Sequence, residues 1–278
     1  MDLRPFVFGE LRAVPADADA LLIAGPTRKL SQPEVDLVAR YLEQNGRLMV
    51  LLDQGQDTGL EPLLEDWGLR AGSDLAVDGT RTLQGMRGLW VTSYEPHPIT
   101  LALQGADEKI TTIYHLPRPI EPLDPEEADA PGNDRLRVEP LVTTSDAGWA
   151  ETDLEQQPMR FDPGVDRPGP IAIAAAVERG AEPGIETELS PTRLVVFGDS
   201  DFASNGALTG GNPDLFLSAM NWLLEREELM AIDAKPIEMH RLVLSERQLW
   251  SIFWLAVAGL PGAVALLGLL VWVGRRTA

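Results

Sequence analysis

Apolar and polar positions along Ala20–Gly68 fall into blocks that predict strand, helix, strand and helix in turn. Ala20–Ala24 (ALLIA) is a short apolar run closed by Gly25–Pro26, the pattern of a strand buried on both faces. Ser31 follows with Glu34 three residues on, so a hydroxyl and a carboxylate can satisfy the free backbone N–H groups of a helix start, and Pro33 is tolerated in the first turn. Val35, Val38 and Leu42 line one face of this helix, and Asn45–Gly46 supply a left-handed stop. Arg47–Leu52 (RLMVLL) is the next buried strand. Leu60, Leu63, Leu64 and Trp67 then recur with helical spacing up to Gly68. Such alternation predicts an α/β fold: a parallel or mixed sheet with helices on both faces.

The middle of the chain is less regular. Short strands are expected at Gly88–Val91, Ile110–His115, Leu136–Val142 and Ile171–Val177. Pro117–Arg135, Gln156–Pro170 and Gly180–Pro191 are rich in proline or acidic residues and read as surface loops, because they hold too little apolar surface to pack. Arg193–Phe197 (RLVVF) is the last strong strand, and Gly198–Phe202 (GDSDF) turns out of it. Asn212 reads as the cap of a final helix, with Pro213 and Asp214 in its first turn and Leu215, Phe216, Ala219, Met220, Leu223 and Leu224 as its apolar positions.

Leu249–Val273 contains no ionisable side chain. A bilayer core takes about 20 apolar residues of helix to cross, so this stretch is expected to be a transmembrane helix in contact with the lipid bilayer. Trp250, Trp254 and Trp272 suit the headgroup level, and Pro261–Gly262 are expected to kink the helix rather than end it. The expected organisation is an α/β domain over residues 1–231, a linker over 232–248, the transmembrane helix over 249–273 and a basic tail over 274–278. Lys235, Arg241 and Arg247 before the span oppose Arg275 and Arg276 after it, so local charge does not orient it. Met1–Glu10 reads as the interior of a folded unit, which predicts that the chain is the later part of a longer protein.

Forty-three acidic residues against 23 basic ones give a net charge of −20. That field repels nucleic-acid backbones, and no nucleic-acid partner is expected. There is no cysteine, which excludes disulfides and thiol nucleophiles. Asp199-Ser200-Asp201 has the most chemical look, since ligands of α/β sheets bind beyond the carboxyl ends of the strands. Two carboxylates around a serine could hold a hard cation, yet the same residues suit a turn closed by local hydrogen bonds. The turn reading is preferred, with no metal, no cofactor and no catalytic residue assigned. Asp199, Ser200, Asp201 and Asn212 remain as ligand-binding candidates. Gly210–Gly211 could offer N–H groups to an anion but equally suit a loop feeding a helix. His97, His115 and His240 are too far apart for a local metal motif.

Several segments together resemble a known family. Asp17–Asp53 (DADALLIAGPTRKLSQPEVDLVARYLEQNGRLMVLLD) is similar to the core of the GldG-type auxiliary proteins of ABC transport systems, first associated with gliding motility. Thr144–Leu154 (TSDAGWAETDL), Gly169–Glu178 (GPIAIAAAVE) and Arg193–Leu223 resemble later blocks of that family. The resemblance implies a domain of glutamine-amidotransferase-like fold on the periplasmic side of the bacterial inner membrane, working with an ABC ATPase and a permease. This chain departs from the pattern by lacking the family's first span, and amidotransferase-like cysteine chemistry cannot be carried over to it. The expected function is a non-catalytic, membrane-anchored accessory subunit that binds partner subunits or an exported ligand. The alternatives are a degenerate or unrecognised hydrolase of amidotransferase-like fold with Asp199 and Asp201 at its site, and a tail-anchored cytoplasmic interaction module.

Overall fold

The structure, a computed structural model, describes residues 2–8, 13–83, 88–104, 110–123, 136–156, 158–180 and 191–226, with 253–259, 261–262, 268, 272 and 275–276 near the C-terminus. Two units are distinguished, Met1–Lys235 and Pro236–Ala278.

In chain order the first unit begins with β1 (Leu21–Ala24), α1 (Gln32–Glu43), β2 (Arg47–Leu51) and α2 (Glu61–Asp66). Short strands follow: β3 (Leu69–Ala71), β4 (Leu75–Asp78), β5 (Thr82–Leu83), β6 (Gly88–Val91), β7 (Ser93–Tyr94), β8 (Thr112–His115) and β9 (Ile120–Pro122). β10 (Leu136–Thr143), β11 (Gly148–Glu151), β12 (Arg167–Pro168), β13 (Ala172–Arg179), β14 (Thr192–Phe197) and α3 (Asn212–Leu223) complete it.

The largest sheet has the order β1-β2-β14-β13-β10-β7. β1, β2 and β14 are parallel, whereas β13, β10 and β7 are each antiparallel to the strand before them in that order. Pro140 has no N–H to give the ladder, and the β10–β13 register shifts between Pro140 and Val142. Successive residues of a strand face opposite ways, so the inner strands feed two cores. Leu48, Val50, Leu194 and Val196 pack with Val38 and Leu42 of α1 and Leu63 and Leu64 of α2. Met49, Leu51, Val195 and Phe197 face the other way and pack with Leu215, Ala219 and Leu223 of α3. Burial on both faces is what makes Leu48–Leu51 and Leu194–Phe197 continuously apolar.

Local chemistry sets the ends of α1. Glu34 accepts hydrogen bonds from the Ser31 backbone N–H at 2.7 Å and the Ser31 hydroxyl at 2.9 Å. Asn45 follows the helix with a φ of 59°. Two segments read as loops carry strands: β9 lies within Pro117–Arg135 and pairs with β3, and β12 lies within Gln156–Pro170 and pairs with β11. Both are too short for periodicity to show.

The expected transmembrane helix requires correction. Among the described residues no helix is long and apolar enough to cross a membrane. What is described in Leu249–Val273 includes a five-residue π-helix, Leu255–Gly259. It stands just ahead of Pro261, which has no N–H to donate to the carbonyl four residues back and whose ring crowds that carbonyl. The linker expected over 232–248 lies outside the described residues.

Phe202 is fully buried, with Phe197 at 4.6 Å, Tyr114 at 5.6 Å and Phe216 at 6.4 Å between ring centres. Phe202→Ala should therefore lower unfolding stability by about 3–5 kcal/mol, read as a shift in urea midpoint at unchanged slope.

Candidate functional site

Because β2 and β14 are parallel neighbours, the residues leaving their carboxyl ends come side by side. Asp53 follows β2, and Gly198–Asp201 follow β14. The Asp53 carboxylate accepts the Ser200 backbone N–H on one oxygen at 2.8 Å and the Ser200 hydroxyl on the other at 2.9 Å. Gly25 comes in from the end of β1 with a φ of 53°. A side chain there would place Cβ only 2.7 Å from Ser200 Oγ, so a glycine is needed for this approach.

Asp199 is buried and holds two further segments. Its carboxylate accepts the His115 backbone N–H at the end of β8 at 2.7 Å and the Asp201 N–H at 2.8 Å. Burial pushes its carboxyl up to about 7, against the pull of those two N–H donors, with the nearby charges of Asp201 and Asp53 raising it further. Asp201 turns outward, where its carboxylate stands 3.3 Å from His115 Nδ1 and both side chains are more than half exposed.

Asn212 is not the helix cap. Gly211 occupies that position, and Asn212 is the first helical residue, fully buried. Its side chain clamps three segments. Oδ1 accepts the Ile113 N–H at 2.8 Å, while Nδ2 donates to the carbonyls of Ile113 at 2.8 Å, Phe202 at 3.1 Å and Ala207 at 3.0 Å. The Gly211 N–H donates to the Thr111 carbonyl, which uses up the donor that an anion would need.

The four residues singled out from the sequence thus lie along one connected stretch of backbone, joined to Asp53 and His115, which were not singled out. The missed signal was available for Asp53, a carboxylate directly after a predicted parallel strand. These polar groups spend their hydrogen bonds on one another and on backbone. No group of three or more His, Cys, Asp or Glu side chains among the described residues is arranged to hold a metal ion. Ser200 gives its hydroxyl hydrogen to the Asp53 carboxylate, and neither His115 nor His97 is among its hydrogen-bond partners.

A cavity of about 270 Å³ lies near the opposite edge of the sheet. There Arg193 Nε bonds Glu178 at 2.8 Å, and its guanidinium stacks on Trp222 at 4.6 Å. Burial lowers His97 to about 4, which leaves the imidazole neutral, and its Nδ1 accepts the Ile99 N–H. These contacts also serve the fold.

The architecture is a mixed α/β domain whose polar strand ends are tied together by two carboxylates, the buried Asp199 and the half-buried Asp53. Comparison with known proteins names its group. The family described as an ABC-type uncharacterized transport system matches residues 2–219, and the chain belongs to that family. It is therefore an auxiliary component of an ABC-type transport system. The family description does not extend to the GldG-type, gliding-motility or amidotransferase-like particulars that the resemblance implied. No curated protein matches the chain. Among solved structures, one titled "mmIFT52 N-terminal domain" is similar at 19% identity with a TM-score of 0.50, over 73% of this chain and 76% of that one. At that identity the likeness is one of fold.

Two stability measurements check the roles assigned here. Asp53→Ala strands the Ser200 N–H and should cost on the order of 2 kcal/mol, whereas Asp201→Asn, altering an exposed pair, should stay within about 0.5 kcal/mol. The second concerns pH. Asp199 ordinarily titrates near 3.8 and in the fold near 7. Between those values the unfolded chain loses a proton that the fold retains. Its contribution to stability is therefore fully present below about pH 4 and lost as pH rises through about 7. Urea titrations across that window should show a downward slope that Asp199→Asn removes.

Proposed function

We propose that the chain is a non-catalytic accessory subunit whose α/β domain binds the ATPase and permease subunits of its transport system. Family membership across residues 2–219 carries this reading, because the match runs from the start of the described α/β domain into α3. The site chemistry supports it. Asp53, Asp199, Ser200 and Asn212 are committed to holding backbone, which leaves the carboxyl edge of the sheet rigid and chemically quiet. The hydrolase alternative put Asp199 and Asp201 together at one site, whereas Asp199 is buried and Asp201 is exposed beside His115. The proposal includes a periplasmic position at the bacterial inner membrane, held there by those partners.

Co-expression with the ATPase and permease subunits of an ABC-type transport system from the same source provides the test. A tag on this chain should recover both subunits from detergent in fixed proportion. Recovery of the chain alone, from cells that contain all three, contradicts the proposal. In the same cells, protease added to intact spheroplasts should cut the domain; protection until lysis would place it in the cytoplasm.

A further inference from the structure

Asparagine stands directly before glycine at Asn45–Gly46 and at Asn205–Gly206. Such a pair carries a reaction of its own. The glycine backbone nitrogen, unshielded by a Cβ, can close onto the side-chain carbonyl carbon of the asparagine before it. In a folded chain the reaction depends on what holds that nitrogen and that side chain. The fold treats the two pairs in opposite ways.

Asn45–Gly46 ends α1 and is fixed. Gly46 is buried, and its N–H donates to the Tyr41 carbonyl at 3.0 Å. A Cβ on Gly46 would stand 2.3 Å from the same carbonyl oxygen, so this peptide is packed against the helix end. Asn45 is held there with a φ of 59°. Before it can react, the nitrogen must leave its acceptor and the helix end must open.

Asn205–Gly206 lies between the 3₁₀ turn Asp201–Ala203 and α3, and both residues are exposed. The Ser204 carbonyl accepts the Ala207 and Leu208 N–H groups, each at 3.0 Å, so the turn closes around the pair without using it. Among the described residues the Gly206 N–H has no acceptor, and the Asn205 side chain makes no hydrogen bond. Beyond the chain neighbours, no atom stands within 4 Å of where a Gly206 Cβ would be. Nucleophile, electrophile and room for ring closure thus meet at the surface.

We propose that Asn205 is a site of self-modification, converting to aspartate and isoaspartate in the folded protein. The Gly206 nitrogen attacks Asn205 Cγ, and the new bond replaces the one from Cγ to Nδ2. The proton lost by the Gly206 nitrogen leaves with Nδ2 as ammonia. Water then opens the cyclic imide at either carbonyl. Opening at Cγ gives aspartate; opening at the backbone carbonyl gives isoaspartate, in which the chain runs through the side chain. No oxidant or other reagent is consumed. Either product adds a negative charge to the loop. Isoaspartate also lengthens the backbone just before Ala207, whose carbonyl Asn212 holds at 3.0 Å. The site is independent of the partner-subunit reading, and either can fail alone.

For the test, the full chain is incubated near neutral pH in water enriched in the heavy oxygen isotope. It is then moved to ordinary water, digested and mapped by mass spectrometry. In the folded chain Asn205 should take up heavy oxygen at least about tenfold faster than Asn45, whereas in urea the two rates should agree within about twofold. Gly206→Ala should slow conversion of Asn205 about tenfold, because its Cβ obstructs the attack. The open space at Gly206 lets this variant fold, which an unchanged urea midpoint would verify. Conversion of Asn45 as fast as Asn205 in the folded chain would overturn the proposal. So would conversion of Asn205 in urea alone, or an unchanged rate in Gly206→Ala.

Discussion

The bond from Asp53 to Ser200 fixes how two parallel strands end, and the neighbouring loops take their positions from it. β2 and β14 lie side by side, so their exits compete for the same space. A carboxylate that accepts both the N–H and the hydroxyl of one residue settles that competition. Gly25 can then pass close by, bringing in the exit of β1. Asp199, one residue before Ser200, reaches across to the end of β8, and Asn212 clamps that same strand to the start of α3. One polar chain thus links the parallel half of the sheet to the elements covering one of its faces.

Placing carboxylates in such positions has an energetic consequence. Asp199 is buried with two N–H donors and no cationic partner among its bonds, so it keeps its proton into the neutral range. The arrangement trades some stability at high pH for a fixed geometry at the strand ends. Buried polar groups of this kind specify one arrangement of loops where an apolar contact would allow several. The proposed role, binding other subunits through a constant surface, is well served by that rigidity. The α/β edge that often hosts catalysis serves here to set loop positions.

Much of this was legible in the sequence where interactions are local. Leu48–Leu51 and Leu194–Phe197 are apolar throughout because both faces are covered, and the start of α1 is written in Ser31 and Glu34. The short strands β3, β9 and β12 were not legible, since two or three residues carry no periodicity and their pairing comes from distant partners. The polar site divides the same way. Asp199, Ser200 and Asp201 stand together and invite attention, but what they do depends on Asp53, 147 residues before Ser200, and on His115, 84 residues before Asp199. No spacing rule connects them. Asn212 misled for a related reason: a helix start favours asparagine, yet this side chain answers to β8. The apolar stretch near the C-terminus was read as a spanning helix from its hydropathy, and no helix of the described residues is long and apolar enough to cross a membrane.

The central claim is that the carboxylates at the strand ends act as structural latches and hold the exits as firmly as the sheet itself. Native-state hydrogen exchange of individual amides measures this directly. Ser200, Asp201 and His115, whose N–H groups the carboxylates accept, should exchange with opening free energies close to that of Val195 in the middle of β14. Exchange of these three amides at the rate of an open surface loop, while Val195 remains protected, would contradict the account.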